Sequence, residues 1–219
     1  MASTVFHIAK TEGGVQGSQA EYLVRQTISL LNVQGSRRKV AVFLVTVGLG
    51  VGGTEVQLME IAERLDPERF AVTVVALKGE GAIAGEMRKR GIKVVALNGA
   101  GKLDARVFFR FFSLARTEQP DIIHSFLPLA NYVGIIVGHM LKVPVLIASY
   151  RGLEQRKSRF SVWVDRLVVR LAQATTCCSD AVRWFAINRF AGDPNKYMTI
   201  YNGIDIERFR RVSTISKSH

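Results

Sequence analysis

Seven short apolar runs, separated by segments of helix length, constrain the fold of this chain more than any other feature of its sequence. The runs are Lys39–Val47, Phe70–Leu77, Ile92–Leu97, Asp121–Ser125, Val143–Ser149, Ala174–Cys178 and Tyr197–Ile200. They are apolar without alternation, so a strand made from them is buried on both faces, as in a parallel sheet flanked by helices. The segments between them are Thr54–Leu65, Ala82–Arg90, Asp104–Thr117, Leu129–Leu141, Phe160–Ala172 and Asp180–Phe190. The expected fold is therefore a doubly wound, mostly parallel α/β sheet.

Local signals mark the boundaries of these elements. Thr54-Glu55-Val56-Gln57 reads as a capping box, in which the Thr hydroxyl and the Gln side chain satisfy free N–H groups of a first helical turn. Gly91 stands where a left-handed residue ends the helix before it. Residues 1–37 show no strong period and lead into the basic Arg37-Arg38-Lys39, which reads as a loosely structured leader. No basic segment followed by an apolar core is found there, so it is not a signal peptide. The apolar stretch Tyr132–Tyr150 contains His139, Lys142 and Pro144 and reads as a helix followed by a buried strand rather than a membrane span. The expected domain is 38–206, with a basic tail at 207–219, and the chain is expected to stop just after one domain is complete.

With 48% hydrophobic and 22% charged residues, the composition excludes a disordered chain, a collagen and a disulfide scaffold. Lys and Arg total 30 against 18 acids, a net charge of +12, which calls for an anionic partner: nucleic acid, a membrane surface or a phosphorylated ligand. Cys177 and Cys178 are adjacent and read as small buried strand residues in a reducing, cytoplasmic compartment. No Cys/His spacing suited to a metal occurs.

The first run ends in Gly48-Leu49-Gly50-Val51-Gly52-Gly53, which opens into the expected helix. Glycines at such a turn let the backbone approach an anion, and the helix N-terminus supplies free N–H donors. The spacing matches G-x-G-x-x-G, so a nicotinamide-dependent oxidoreductase is one reading. That reading wants an acid at the end of the second strand. Here the second strand ends Ala76-Leu77-Lys78-Gly79, with Glu80 beyond, so the acid is out of place. His124 is expected at the carboxyl end of its strand and Arg151 just past the next one, on the edge that lines the ligand crevice of an open α/β sheet. The planar fork of Arg151 suits an anion clamp, and an exposed loop arginine is the plainer alternative.

Five segments in order resemble family 4 glycosyltransferases: Gly52-Gly53-Thr54-Glu55, Gln119-Pro120-Asp121-Ile122-Ile123-His124-Ser125, Ser149-Tyr150-Arg151-Gly152, Cys178-Ser179-Asp180-Ala181-Val182 and Ile200-Tyr201-Asn202-Gly203-Ile204-Asp205. They look like the N-terminal, acceptor-side, Rossmann-like domain of the GT-B fold. The resemblance implies retaining transfer of a sugar from a nucleotide-sugar donor to a glycan or lipid-linked, cell-envelope acceptor, with no cofactor and no metal. It implies that Gly52 and Gly53 approach the donor diphosphate and that the catalytic His124 lies beside the transferring sugar. It places Glu55 and Arg151 at acceptor or donor groups and makes Asn202, Gly203 and Asp205 an interdomain hinge. The second, donor-binding domain of that family has no counterpart in this sequence, so the chain is expected to be inactive alone.

Two basic segments carry aromatic residues. Asp104–Thr117 bears Arg106, Arg110 and Arg116 among Phe108, Phe109, Phe111 and Phe112. Arg151–Arg170 bears six basic residues against Glu154 and Asp165, interleaved with Phe160 and Trp163. Such helices suit an anionic membrane surface at the inner face, or they are core-packed helices with solvated charges. A non-catalytic remnant that docks on membrane or acceptor is a further reading. No nucleic-acid recognition module is visible, so nucleic acid is not an expected partner.

Overall fold

A computed structural model describes residues 38–101, 104–153 and 158–203. The leader, the tail and Asp205 of the expected hinge lie outside the described residues, as do Arg156 and Lys157 of the second basic segment. Seven strands form one sheet: β1 (Val40–Thr46), β2 (Phe70–Ala76), β3 (Lys93–Ala96), β4 (Ile122–Phe126), β5 (Val145–Tyr150), β6 (Ala174–Cys177) and β7 (Tyr197–Thr199). Their spatial order is β3-β2-β1-β4-β5-β6-β7, and every adjacent pair is parallel. Among the described residues the α-helices are α1 (Gly53–Arg64), α2 (Gly81–Lys89), α3 (Ala105–Glu118), α4 (Pro128–Met140), α5 (Arg159–Leu171) and α6 (Asp180–Phe190). This is a doubly wound, Rossmann-like α/β fold, as the apolar runs imply. The order reverses between β1 and β4, which opens a crevice at the carboxyl ends of those strands.

The two faces of the sheet are packed unequally. Phe43, Val45, Ile123, Leu146 and Ala148 point to one face and join Phe111 of α3, Ile135 of α4, Val168 of α5 and Ala186 of α6 in one core. Val42, Leu44, Val74 and Ala76 point to the other and pack on Leu58 and Met59 of α1 and Ala84 and Met87 of α2. Two glycines permit close approaches. A Cβ on Gly134 of α4 would run into the Ser125 hydroxyl of β4, and Gly81 (φ 65) lies against the backbone of Leu49, where no side chain fits.

Most boundaries agree with the sequence to within a residue or two, and Gly91 takes its expected left-handed conformation (φ 77). Three details differ. Thr54 does not cap α1: the N-cap is Gly52, in extended backbone and with no side chain to cap the helix, and the Gln57 amide that would complete the capping box bonds Gly203 instead. β6 ends at Cys177, which is buried, and Cys178 is only half-buried beyond it. The strand holding His124 runs on to Phe126, so this histidine is in mid-strand rather than at its end.

Candidate functional site

A groove opens on the face of the sheet left uncovered between α1 and β4–β7. Its floor is set by parallel register. His124 of β4 lies beside Ile147 of β5, which lies beside Ala174 of β6, and one pleat further on Ser149 pairs with Thr176 and Thr176 with Met198. Side chains two apart share a face, so His124, Ser149 and Thr176 all point into this groove. One wall is α1, through Gln57 and Ile61, with Leu65 just past its end, and the carboxyl rim is Arg151, Ile200 and Tyr201.

His124 Nε2 is 2.7 Å from Ser149 Oγ, and the Ser149 hydroxyl also meets Thr176 Oγ1. Burial, with the nearby Arg151 charge, pushes the His124 pKa down to about 3, so the ring is neutral at ordinary pH. Its ring lies against Phe126 at 4.2 Å between centroids. Arg151 donates to Asn202 Oδ1, and burial lowers its pKa from its usual value. Gln57 reaches the same segment from α1: its Nε2 donates to Gly203 O at 2.6 Å and its Oε1 accepts from Gly203 N at 3.0 Å. Asp180 accepts from Tyr201 Oη at 2.7 Å and from Thr199 Oγ1, which ties α6 to the chain leaving β7. Those two donors hold the Asp180 carboxyl below the usual carboxylate range.

The structure thus gathers His124, Arg151, Asn202 and Gly203 around one groove. Gly52 and Gly53 begin the helix that forms its wall, but neither lines it. Glu55 is on the first turn of α1, and its carboxylate folds back against the Gly52 α-carbon. The turn before it is tied inward: Leu49 is fully buried and its carbonyl accepts from Ile83 N at 3.0 Å, so part of the glycine motif serves the packing of α2. Four residues of the site are absent from the sequence reading of candidates: Gln57, Asn131, Ser149 and Thr176. Ser149 opens one of the five family-like segments, Gln57 closes the capping-box pattern, and Asn131 is an amide within an otherwise apolar helix. Among the described residues, no group of three or more His, Cys, Asp or Glu side chains is placed to hold a metal ion.

An open, doubly wound parallel sheet with a groove beside its switch point defines a Rossmann-like α/β class, and the fold is similar to one domain of GT-B glycosyltransferases. The sequence matches the family described as Glycosyltransferase Family 4 over residues 51–208, and the chain belongs to that family. It is 24% identical over 112 residues to the UDP-Gal:alpha-D-GlcNAc-diphosphoundecaprenol alpha-1,3-galactosyltransferase of Escherichia coli, covering 48% of this chain and 29% of the relative. Its fold is similar to that of HepE of Anabaena, solved in complex with UDP, with TM-score 0.64 and 21% identity over 81% of this chain and 49% of that one. It is also similar to MurG of Acinetobacter baumannii, with TM-score 0.53 and 12% identity over 76% and 47% of the two chains. The chain therefore spans about half the length of these solved structures and less of the galactosyltransferase.

Proposed function

We propose that this chain is the acceptor-side half of a retaining glycosyltransferase that transfers a sugar from a nucleotide-sugar donor to a lipid-linked or cell-envelope acceptor. The observation that carries the reading is the groove that joins neutral His124 to Arg151 and, through Arg151 and Gln57, to Asn202 and Gly203. Residues 38–206 would be the folded unit, Gly52 and Gly53 would meet the donor diphosphate, and Glu55 and Arg151 would contact acceptor or donor. N–H donors at the start of α1 would stabilise the departing diphosphate. The neutral, half-buried His124 carries no acidic imidazolium proton, and its part in this reading is to hydrogen-bond the sugar beside the reacting centre. Asn202 and Gly203, with Asp205, would form the hinge to a donor-binding domain supplied elsewhere. HepE is solved with UDP, and the galactosyltransferase relative is named for a diphosphoundecaprenol acceptor, which supports these ligand classes.

The chain would work in the cytoplasm, peripheral to the inner face of a membrane. Phe160 and Trp163 stack on the outer side of α5 and are 72% and 60% exposed beside Arg159, Arg166 and Arg170, a composition suited to anionic lipid. Among the described residues no helix is long and apolar enough to cross a membrane.

The test is sugar transfer from nucleotide-sugar donors by the purified 219-residue chain, alone and joined to a donor-binding domain. Little or no turnover alone and turnover when joined is the expected result; robust turnover by the chain alone would remove the half-enzyme reading. Tight binding of NAD(H) or NADP(H) in a parallel titration would favour an oxidoreductase instead.

A further inference from the structure

A second cavity, of about 110 Å³, lies on the other side of β5 from the groove. Its walls are Leu127 and Pro128 at the start of α4, the Tyr150 ring, and Phe185 and Phe190 of α6, with Arg151 at the rim. The tyrosine is no polar intruder. Its hydroxyl donates to the buried Asp165 carboxylate of α5 at 2.9 Å, and its ring lies 4.9 Å from that of Phe190 between centroids, so the ring is what it gives to the cavity. Leu127 stands at φ 76 and ψ 153, a conformation that belongs almost wholly to glycine. Such strain persists only where the surrounding structure fixes it, and here it sets a leucine against the cavity at a turn that glycine would take freely.

Among the described residues, Arg151 alone lines both this cavity and the groove. Its guanidinium meets the uncharged Asn202 Oδ1, and burial disfavours its charge, which an anion beside it would restore. The site is thus a cation with apolar walls beginning directly next to it. A chain bonded straight to phosphate matches that juxtaposition, whereas in a phospholipid glycerol and ester groups come between phosphate and hydrocarbon. The size agrees as well: a dry apolar cavity of about 150 Å³ takes a six-carbon ring, so the present one suits a branched unit of five carbons. We infer that this cavity binds a prenyl phosphate or diphosphate, with the phosphate on Arg151 and the first isoprenyl unit between Leu127, Tyr150 and Phe185. With the groove on the far side of Arg151, sugar, phosphate and chain then follow one another as they do in a prenyl-diphosphate-linked sugar. The place of the sugar rests on the proposed function; the prenyl-phosphate site does not.

The test is calorimetric titration of the full 219-residue chain with dimethylallyl diphosphate and with inorganic pyrophosphate. Each buried methylene contributes about fourfold in affinity, so the prenyl compound is expected to bind roughly tenfold tighter or more. Dibutyryl phosphatidic acid, set against glycerol 3-phosphate, is expected to show no such gain. Phe185→Ala and Leu127→Gly should bring the two diphosphates to similar affinities while leaving pyrophosphate unchanged, and Arg151→Gln should weaken both. Glycine takes the Leu127 turn without strain, so Leu127→Gly should keep its melting midpoint, and it decides if Phe185→Ala does not fold. Failure of dimethylallyl diphosphate to bind, equal affinities for the two diphosphates, or an equal gain for the phosphatidic acid would overturn the inference. So would a prenyl preference lost in Trp163→Ser and kept in Phe185→Ala, which would put the chain on α5. None of these readouts involves sugar transfer. A chain that binds the prenyl compound and transfers nothing loses the proposed function and keeps this site; one that transfers sugar without the preference does the reverse.

Discussion

One face of the sheet is covered by α3–α6 and the other, among the described residues, by α1 and α2 alone, and the chemistry of the molecule follows this inequality. Under the four helices the strand side chains are Phe43, Val45, Ile123, Leu146 and Ala148, closed by Phe111, Val168 and Ala186 at 2% exposure or less. On the other face the same strands present Ile122, Val145 and Ile147 below and then His124, Ser149 and Thr176 toward the carboxyl edge. Alternate residues of β4 and β5 thus enter the helix-covered core on one side and line the groove on the other. On the second face polar groups pair with one another across strands, and on the first the buried pair is Tyr150 and Asp165, whose carboxylate accepts from the Tyr150 hydroxyl at 2.9 Å.

Substitutions that separate the two faces test this contrast. The largest loss is expected from Phe111→Ala, which empties a fully buried ring site that meets Phe43 edge-on: about 3–5 kcal/mol of unfolding free energy, read by denaturant titration. Asn131→Ala crosses between the faces. It removes both hydrogen bonds from Asn131 to the Ser149 backbone, whose carbonyl keeps only the Leu127 N–H at 3.3 Å, at a cost of about 1–3 kcal/mol, and it should also disturb the His124 NMR signals, which Phe111→Ala should not.

Acid should act through the groove. The His124 pKa is about 3 in the fold against an ordinary value of 6.5, so below pH 6.5 the unfolded chain takes up a proton that the folded chain refuses. Stability is then expected to fall as pH drops from 6.5 toward 3, by no more than about 1.4 kcal/mol per pH unit for this one group. His124→Gln should remove that part of the slope. An unchanged slope in the variant would show that His124 is protonated in the fold.

Gln57→Ala should cost only about 1 kcal/mol, because its two hydrogen bonds are half-open to solvent. Its distinguishing effect is faster hydrogen exchange at the Gly203 amide. The smallest effect on the fold is expected outside both faces: Trp163→Ser should change stability by less than about 0.5 kcal/mol. It should nonetheless weaken co-sedimentation with anionic liposomes at low salt, and undiminished binding would remove α5 from the proposed membrane surface.

Much of the architecture is legible in the sequence. Strands buried on both faces need unbroken apolar runs, and each of β1–β7 falls within or beside one; α6 coincides with its predicted span, Asp180–Phe190. The site was less readable. His124 and Arg151 stood out as chemical types near strand ends, but Gln57 looked like a capping residue because a local pattern is all that a linear reading supplies. Its actual partner, Gly203, is 146 residues away.

What the sequence determined by itself was periodicity, and through it the parallel sheet, the flanking helices and the turns that end them, since these depend on neighbours within a few residues. Only the tertiary structure decided which polar groups meet. His124, Ser149 and Thr176 stand on three strands, each separated by 25 or more residues, and they join only because register sets them on one face at adjoining pleats. Register follows from how the whole sheet packs against its helices, and no local pattern carries that information.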